Sequence, residues 1–311
     1  MNIIGPDTLV FGVEDTESCK QFALDYGLTQ KTETRFVALD GTGIEIKKAD
    51  DSSLPNPLAT GSMLRKTIYG VKDQHTIDAL KTELEKDRTV TTLDDGSIES
   101  VDDLGFVIGF QVTIRQSLEN LPAEKVNAPG CENNRAVNNI GINTDFKAKP
   151  RSLSHVVYFV PDAVKAEAFY AQRLGFITTD RFTHVGPFMR PAGTNDHHTL
   201  FFINTPPHMQ GIEHFTFHMS GPTEVSQAGT ALVNKGYQSF WGPGRHIFGS
   251  NWFWYFKSPF GCNIEYDADM DLHDDEWTAR EAMPGADNSQ AFLLQYREKW
   301  APMGPPPGKP E

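Results

Sequence analysis

Histidine is distributed very unevenly along this chain. Of the ten histidines, only His75 precedes residue 150. Imidazole is a common metal ligand and the side chain that most readily exchanges protons near neutral pH. Such crowding in one half therefore predicts a metal or acid–base site in the C-terminal half.

A repeated pattern shows which elements would position these side chains. Residues 8–22 (TLVFGVEDTESCKQF) resemble residues 155–169 (HVVYFVPDAVKAEAF), and residues 63–83 resemble residues 211–232. Each copy begins with an alternating strand and continues into a helix, and further strands follow. The first pair places Asp15 and Asp162 where capping oxygens would begin the helices.

Two histidines lie at equivalent places in this repeat. His155 begins the first strand of the third copy and His214 begins the first strand of the fourth. Glu265 lies among apolar residues in the last strand of the fourth copy, where a carboxylate needs a partner. The corresponding positions of the first half hold Thr8, Lys66 and Gly109. The pattern thus predicts a metal site at His155, His214 and Glu265, and no metal in the first half.

Two imidazoles and one carboxylate on one side of a metal leave neighbouring coordination positions open. This arrangement suits the oxygen chemistry of non-haem iron(II), although zinc and nickel also accept these ligands. A single histidine in a strand is more often structural than ligating. Three such residues at matching positions of the repeat instead favour a metal site.

Composition excludes several classes of function. The formal net charge of −13 opposes binding to nucleic-acid backbones or anionic lipid. No apolar run reaches the length of a membrane span, and the N-terminus lacks the pattern of a secretory leader. The three cysteines, Cys19, Cys131 and Cys262, are too widely spaced to indicate a disulfide framework. We therefore expect a soluble cytoplasmic protein.

The organisation of the chain follows from the repeat. Residues 117–150 are rich in Asn, Pro, Gly and Lys and show little periodicity, which is typical of a connecting segment. We predict an N-terminal domain at 1–135, a linker at 136–150 and a catalytic C-terminal domain at 151–311. The last domain should end in a helix at about 288–300 and a Pro/Gly tail.

The C-terminal half resembles the two-domain extradiol ring-cleavage dioxygenases. These enzymes belong to the vicinal oxygen chelate superfamily, which is also called the glyoxalase and bleomycin-resistance superfamily. These include the catechol 2,3-dioxygenases and the dihydroxybiphenyl dioxygenases. The motifs that carry the resemblance are SHVVYFVPD (154–162), NDHHTLFF (195–202), GIEHFTFHM (211–219), GPGRH (242–246) and WFWYFKSPFGCNIEY (252–266). They cover about residues 150–270, whereas the N-terminal half resembles the family only through the repeat.

The resemblance implies an α+β fold of four βαβββ modules paired into two vicinal oxygen chelate domains, with Fe(II) held by His155, His214 and Glu265. It also implies three acid–base residues, His198, His246 and Tyr255. His198 would act on the oxygen side and donate a proton there, and His197 would point the other way. His246 and Tyr255 would orient the catechol oxygens.

The reaction implied is cleavage of an aromatic ring beside its diol by O2, giving a ring-opened semialdehyde acid in the catabolism of aromatic compounds. The partners would be a small aromatic diol, O2 and further copies of the chain. Which substituents the ring carries is not fixed by the sequence. Phe248, Trp252 and Trp254 could surround an apolar ring, and Arg190 could meet an anionic substituent.

Other functions use the same modules. A hydroquinone ring-cleaving dioxygenase would share the metal triad but chelate its substrate differently. A glyoxalase-like metal-dependent lyase or isomerase, or an epimerase, would not need His198, His246 and Tyr255. A drug-binding resistance protein would need no metal triad.

Overall fold

The computed structural model describes residues 1–119, 121–143 and 145–295. In the first half, the elements are β1 (Ile3–Val13), α1 (Thr16–Tyr26), β2 (Thr29–Gln30), β3 (Arg35–Val37), β4 (Gly43–Lys48), β5 (Leu64–Val71), α2 (Gln74–Leu84), β6 (Thr91–Thr92), β7 (Ile98–Val101) and β8 (Val107–Val112).

In the second half, the elements are β9 (Ser152–Val160), α3 (Ala163–Leu174), β10 (Phe176–Phe182), β11 (Gly186–Pro191), β12 (Leu200–Asn204), a 3-10 turn (Pro207–Met209), β13 (Gly211–His218), α4 (Pro222–Asn234), β14 (Ser239–His246), β15 (Trp252–Lys257), β16 (Asn263–Ala268), β17 (Arg280–Ala282), α5 (Ala286–Ser289) and β18 (Gln290–Leu293).

The order strand, helix, three strands occurs four times, which confirms the predicted α+β fold of four βαβββ modules. The first two modules form one sheet in the order β2-β3-β4-β1-β5-β8-β7-β6. The last two form the core of a second sheet in the order β17-β10-β11-β12-β9-β13-β16-β15-β14-β18. Within each sheet the first strands of its two modules pair with each other in antiparallel register.

The described residues between 113 and 151 contain no helix or strand. We propose that the domain boundary lies in this segment.

Helix ends follow the local chemistry of the sequence. The side chains of Asp15 and Asp162 each accept a hydrogen bond of 2.9 Å from a backbone N–H three residues later, as expected of capping residues. The first helix ends at Gly27 (φ 107°) and the third at Gly175 (φ 77°), where left-handed backbone favours glycine. The predicted helix starts are thereby confirmed.

Alternation along the strands gives the second sheet two different faces. In β9, Val156, Tyr158 and Val160 point into the main core. His155 and Val157 point to the opposite face, which encloses a cavity. Because successive side chains leave opposite faces of a strand, one strand serves both the core and the site.

The two halves share one hydrophobic core, and a tyrosine pair lies where they meet. The rings of Tyr26, from α1, and Tyr266, from β16, stack with their centroids 4.0 Å apart. The Tyr266 hydroxyl donates to the Tyr26 carbonyl at 2.7 Å, and the Tyr26 hydroxyl donates to the Glu265 carbonyl at 2.5 Å. The N-terminal half therefore supports the strand that carries Glu265.

The C-terminal segment differs from expectation. The predicted helix at about 288–300 is wrong where the structure describes it, because Gln290–Leu293 form β18 and only Ala286–Ser289 are helical. Strand β14 would otherwise be the edge of the sheet, and its free backbone groups pair with β18. Residues 296–311, with the predicted tail, lie outside the described residues. Among the described helices, none combines the length and apolarity that a membrane span requires.

A buried acid also lies near the contact between the halves. Asp102 accepts backbone hydrogen bonds of 2.9 Å from Leu104 and Phe106, and the Tyr170 hydroxyl lies 3.5 Å from its second oxygen. Burial raises the pKa of Asp102 to about 6, and the charge of Asp103 adds to this effect. The folded protein therefore holds this proton more tightly than the unfolded chain does.

We predict that Asp102 makes the protein less stable as pH rises from about 4 to about 6. Its protonated form stabilises the fold below the unfolded pKa, and this contribution, at most about 3 kcal/mol, is lost as pH rises through the folded pKa. Thermal melts of wild type and Asp102→Asn should diverge in favour of the variant across this window and stay parallel above it. A constant difference from pH 4 to 7.5 would contradict the prediction.

Candidate active site

Three neighbouring strands of the second sheet bring the predicted metal ligands together. His155 lies on β9, His214 on β13 and Glu265 on β16. His155 Nε2 lies 3.3 Å from His214 Nε2 and 3.2 Å from Glu265 Oε2, and His214 Nε2 lies 3.4 Å from that oxygen. All three residues are buried.

Hydrogen bonds at Nδ1 orient both histidines so that their Nε2 atoms converge. His155 Nδ1 lies 2.9 Å from the Ser154 hydroxyl, and His214 Nδ1 hydrogen-bonds the Glu213 carboxylate. In the neutral form, with the proton on Nδ1, each Nε2 has the lone pair that binds a metal. Glu265 Oε1 is buried without a hydrogen-bond partner among the described residues. The donor set thus fits a divalent transition metal.

Burial and neighbouring groups shift the pKa values of the three triad residues. Burial opposes ionisation of Glu265, but the neighbouring imidazoles of His155 and His214 hold its pKa well below its usual range. Burial likewise opposes a charge on His214, but the Glu213 carboxylate raises the pKa of His214 to about 9, so a bound metal would displace a proton from its Nε2. Burial lowers the pKa of His155. The site therefore has an anion at its centre.

Further polar groups hold these side chains from behind. Asp267, two residues after Glu265 on the same face, lies 3.3 Å from the Ser154 hydroxyl and 2.7 Å from His218 Nδ1. Asn263 donates to Glu213 at 2.8 Å. The sequence analysis assigned no role to these residues, although period-two spacing from Glu265 could have indicated Asp267.

The three predicted acid–base residues surround the triad. The rings of His198 and His155 lie 4.3 Å apart between centroids. Tyr255 pairs directly with Glu265 across β15 and β16, so both side chains leave the same face of the sheet. His246 Nε2 lies 3.2 Å from the Tyr255 hydroxyl and 3.6 Å from Glu265 Oε1.

Local hydrogen bonds and burial define the state of these groups. His246 Nδ1 donates to the Ser289 carbonyl at 3.0 Å, so its Nε2 is free to accept from Tyr255. Burial and the neighbouring His155 lower the pKa of His198 well below its usual range. Burial and the charge of Glu265 raise the pKa of Tyr255 well above the usual value of a tyrosine. At neutral pH, His198 is neutral and Tyr255 keeps its proton.

A cavity of about 300 Å³ opens over the triad. His155, His198, His214, His246 and Tyr255 line it. Much of the remaining wall consists of six phenylalanines, Phe159, Phe182, Phe188, Phe201, Phe240 and Phe248. The wall therefore suits an aromatic ring of low polarity.

Other sequence predictions about the pocket were only partly right. Phe248 lines the cavity, but Trp254 belongs to the core on the opposite face and Trp252 packs near Phe292. The suggestion that Arg190 meets a substrate anion is wrong. Its side chain is fully buried and pairs with Asp275 at 2.7 Å, away from the cavity.

Comparison with known proteins defines the class of this site. Residues 152–266 match the family described as the Glyoxalase/Bleomycin resistance protein/Dioxygenase superfamily. The matched segment contains the three residues of the triad.

Individual relatives extend the comparison. The chain is 34% identical over 150 residues to Metapyrocatechase 2 of Cupriavidus necator, which is 48% of this chain and 45% of that relative. The match thus spans less than half of the relative's length. The Mn(II)-bound glyoxalase of Novosphingobium aromaticivorans has a similar fold, with a TM-score of 0.73 and 19% identity over 93% of this chain and 90% of that one. BphC, a halotolerant catechol dioxygenase, has a TM-score of 0.71 and 15% identity over 94% and 95% of the two chains.

The tyrosine pair behind Glu265 allows a matched test. Tyr26→Phe removes the hydroxyl that holds the Glu265 carbonyl, whereas Tyr266→Phe removes the reciprocal hydroxyl of the same pair. Each should cost about 1 kcal/mol of stability. We expect Tyr26→Phe to weaken binding of Co(II) or Mn(II) about five- to tenfold, because a group that orients a ligand affects the affinity. Tyr266→Phe should change it less than about twofold.

Metal affinity can be measured by competition with a chromophoric chelator, and thermal melts report the loss of stability separately. Equal metal affinities in the two variants would contradict this role for Tyr26.

Proposed function

We propose that this chain is an Fe(II)-dependent extradiol dioxygenase that cleaves the ring of a catechol-type substrate with O2. The observation that carries the proposal is the presence of His198, His246 and Tyr255 in the same phenylalanine-walled cavity as the candidate triad. A triad alone would serve several members of the superfamily. Three acid–base groups around it suit a substrate that loses and regains protons.

His155, His214 and Glu265 would hold the iron, because their free nitrogens and buried carboxylate oxygens converge. When bound, iron(II) supplies a template for the diol and dioxygen and a conduit for electrons between them. All other steps fall to the side chains of the cavity.

Two sides of the cavity have different roles in this proposal. Tyr255 and His246 lie beside Glu265, where they would orient the substrate hydroxyls and accept hydrogen bonds from them or donate to them. His198 lies beside His155, where it would move a proton to and from the reacting oxygen. The carbon–carbon bond next to the diol breaks, and both atoms of O2 enter a ring-opened semialdehyde acid. The apolar wall keeps bulk water from the reacting atoms.

The first test is ring cleavage itself. Protein purified without oxygen and loaded with Fe(II) should take up one O2 per catechol and form a yellow ring-opened product. His155→Ala and zinc-loaded wild type should both lose at least about a hundredfold in rate, because one lacks a ligand and the other a redox-active metal. The measurement combines an oxygen electrode with absorbance.

Absence of oxygen uptake with every catechol would contradict the proposal. Uptake with hydroquinones instead would identify a hydroquinone ring-cleaving enzyme. Turnover of glyoxalase-type substrates without oxygen uptake would identify a metal-dependent lyase or isomerase.

The cavity also predicts a preference for uncharged rings. Among the residues that the structure describes, no lysine or arginine lines it, and the acidic Glu213 does. A substrate carboxylate would lose its hydration there without gaining a cation. We expect kcat/KM for 4-methylcatechol to exceed that for 3,4-dihydroxybenzoate at least about tenfold, which corresponds to about 1.4 kcal/mol. Equal values would show that the substituent reaches solvent or a cation.

Self-association of the chain and its cytoplasmic location remain proposals as well. Light scattering coupled to size-exclusion chromatography tests the first, and cell fractionation tests the second.

A further inference from the structure

Two buried groups without a role in the proposed reaction, His197 and Asp180, continue from His198 into the interior, and the three residues form a row. His198 Nδ1 lies 2.9 Å from His197 Nδ1, and His197 Nε2 lies 2.7 Å from Asp180 Oδ2. The exposed fractions of Asp180, His197 and His198 are 0%, 0% and 4%. Three titratable side chains thus run in line from the interior to the cavity wall.

The interior end of this row is a carboxylate. Asp180 accepts hydrogen bonds from the backbone N–H and the guanidinium of Arg280, at 2.8 and 2.5 Å. An ionised carboxylate can only accept, so the proton between Asp180 and His197 is on His197 Nε2. In a neutral His197 the other nitrogen, Nδ1, then carries a lone pair.

The same argument continues to His198. With His197 neutral, its Nδ1 accepts, and the proton in the contact between the two histidines is then on His198 Nδ1. His198 Nε2 is then left without a proton, and it is the nitrogen that remains for the cavity that His198 lines. The row therefore fixes the tautomer of His198.

Packing keeps His197 in this position. The rings of Phe188 and His273 lie 5.5 Å from it between centroids, and its backbone N–H donates to the Asp271 carbonyl at 2.9 Å. The backbone at Gly249 (φ 81°) approaches so closely that a Cβ there would lie 3.1 Å from His197 Nδ1. The ring has little room to rotate.

We propose that Asp180 and His197 are positioning residues that present His198 to the substrate as a proton acceptor at Nε2. This inference rests on the proposed ring cleavage. In it, a substrate hydroxyl gives its proton to His198 Nε2, and the same proton later returns to an oxygen of the product, so the residue ends unchanged. While His198 is protonated, the His197–Asp180 pair stabilises its charge, as the carboxylate does in a Ser-His-Asp triad.

The arrangement refines the role given to His198 by sequence resemblance. The sequence assigned it as a proton donor on the oxygen side. The tautomer requires that it accept a proton first. Donation then becomes the second half of one cycle, and the proton that is donated comes from the substrate.

Two variants separate this role from a structural one. Asp180→Asn removes the charge that fixes His197. Asp275→Asn is the matched control, since Asp275 likewise pairs with an arginine, Arg190, but contacts no histidine of the row. We expect Asp180→Asn to lower kcat about ten- to a hundredfold with KM changed less than about threefold. Asp275→Asn should change kcat less than about threefold, and Asp180→Glu should recover part of the loss.

A second measurement does not depend on activity. Nitrogen-15 NMR of histidine-labelled, zinc-loaded wild type distinguishes imidazoles protonated on Nδ1 from those protonated on Nε2, and His198→Gln assigns the His198 signals. We expect the Nδ1-protonated form for His198 and the Nε2-protonated form for His197.

An Nε2-protonated His198 in wild type, or equal kcat in Asp180→Asn and Asp275→Asn, would overturn the inference. If wild type cleaves no catechol, the proposed function fails, but the NMR result still decides whether the row fixes the tautomer.

Discussion

The carboxylate of Glu265 is an anion removed from water at the centre of a ten-stranded sheet. A buried charge is costly unless partners surround it, and its partners come from neighbouring strands on both sides. His155 and His214 approach the carboxylate itself. The Tyr26 hydroxyl donates to the backbone carbonyl of Glu265. One of the carboxylate oxygens has no protein hydrogen-bond partner among the described residues, and a bound cation would satisfy it.

Much of this site was predictable from the sequence because repeat position and strand alternation are local properties. The four modules, the convergence of His155 and His214, and the capping aspartates all follow from spacing alone. Tyr255 was harder, since a shift of one residue in the β15–β16 register would have turned it away. The pairing of Tyr255 with Glu265 settles that point.

Other parts depend on contacts between distant segments, and no local pattern contains them. Asp180 meets His197 only because β10 returns beside β12 through β11, and Arg280 reaches Asp180 through the parallel pairing of β17 with β10. The segment after 285 has no strong strand pattern and was assigned as helix. The unpaired edge of β14 determined its conformation instead. The sequence suggested Arg190 as a contact for an anionic substituent, but Asp275, 85 residues later, pairs with it.

The alternation of side chains along β15 restricts changes in the length of this strand. Trp254 and Phe256 belong to the core, whereas Phe253 and Tyr255 leave the face on which Glu265 lies. Inserting or deleting one residue between Tyr255 and the turn at 258–262 would exchange these two sets, placing an indole over the metal ligands and a phenol in the core. A change in the length of β15 therefore keeps these side chains on their faces only when it adds or removes two residues at a time.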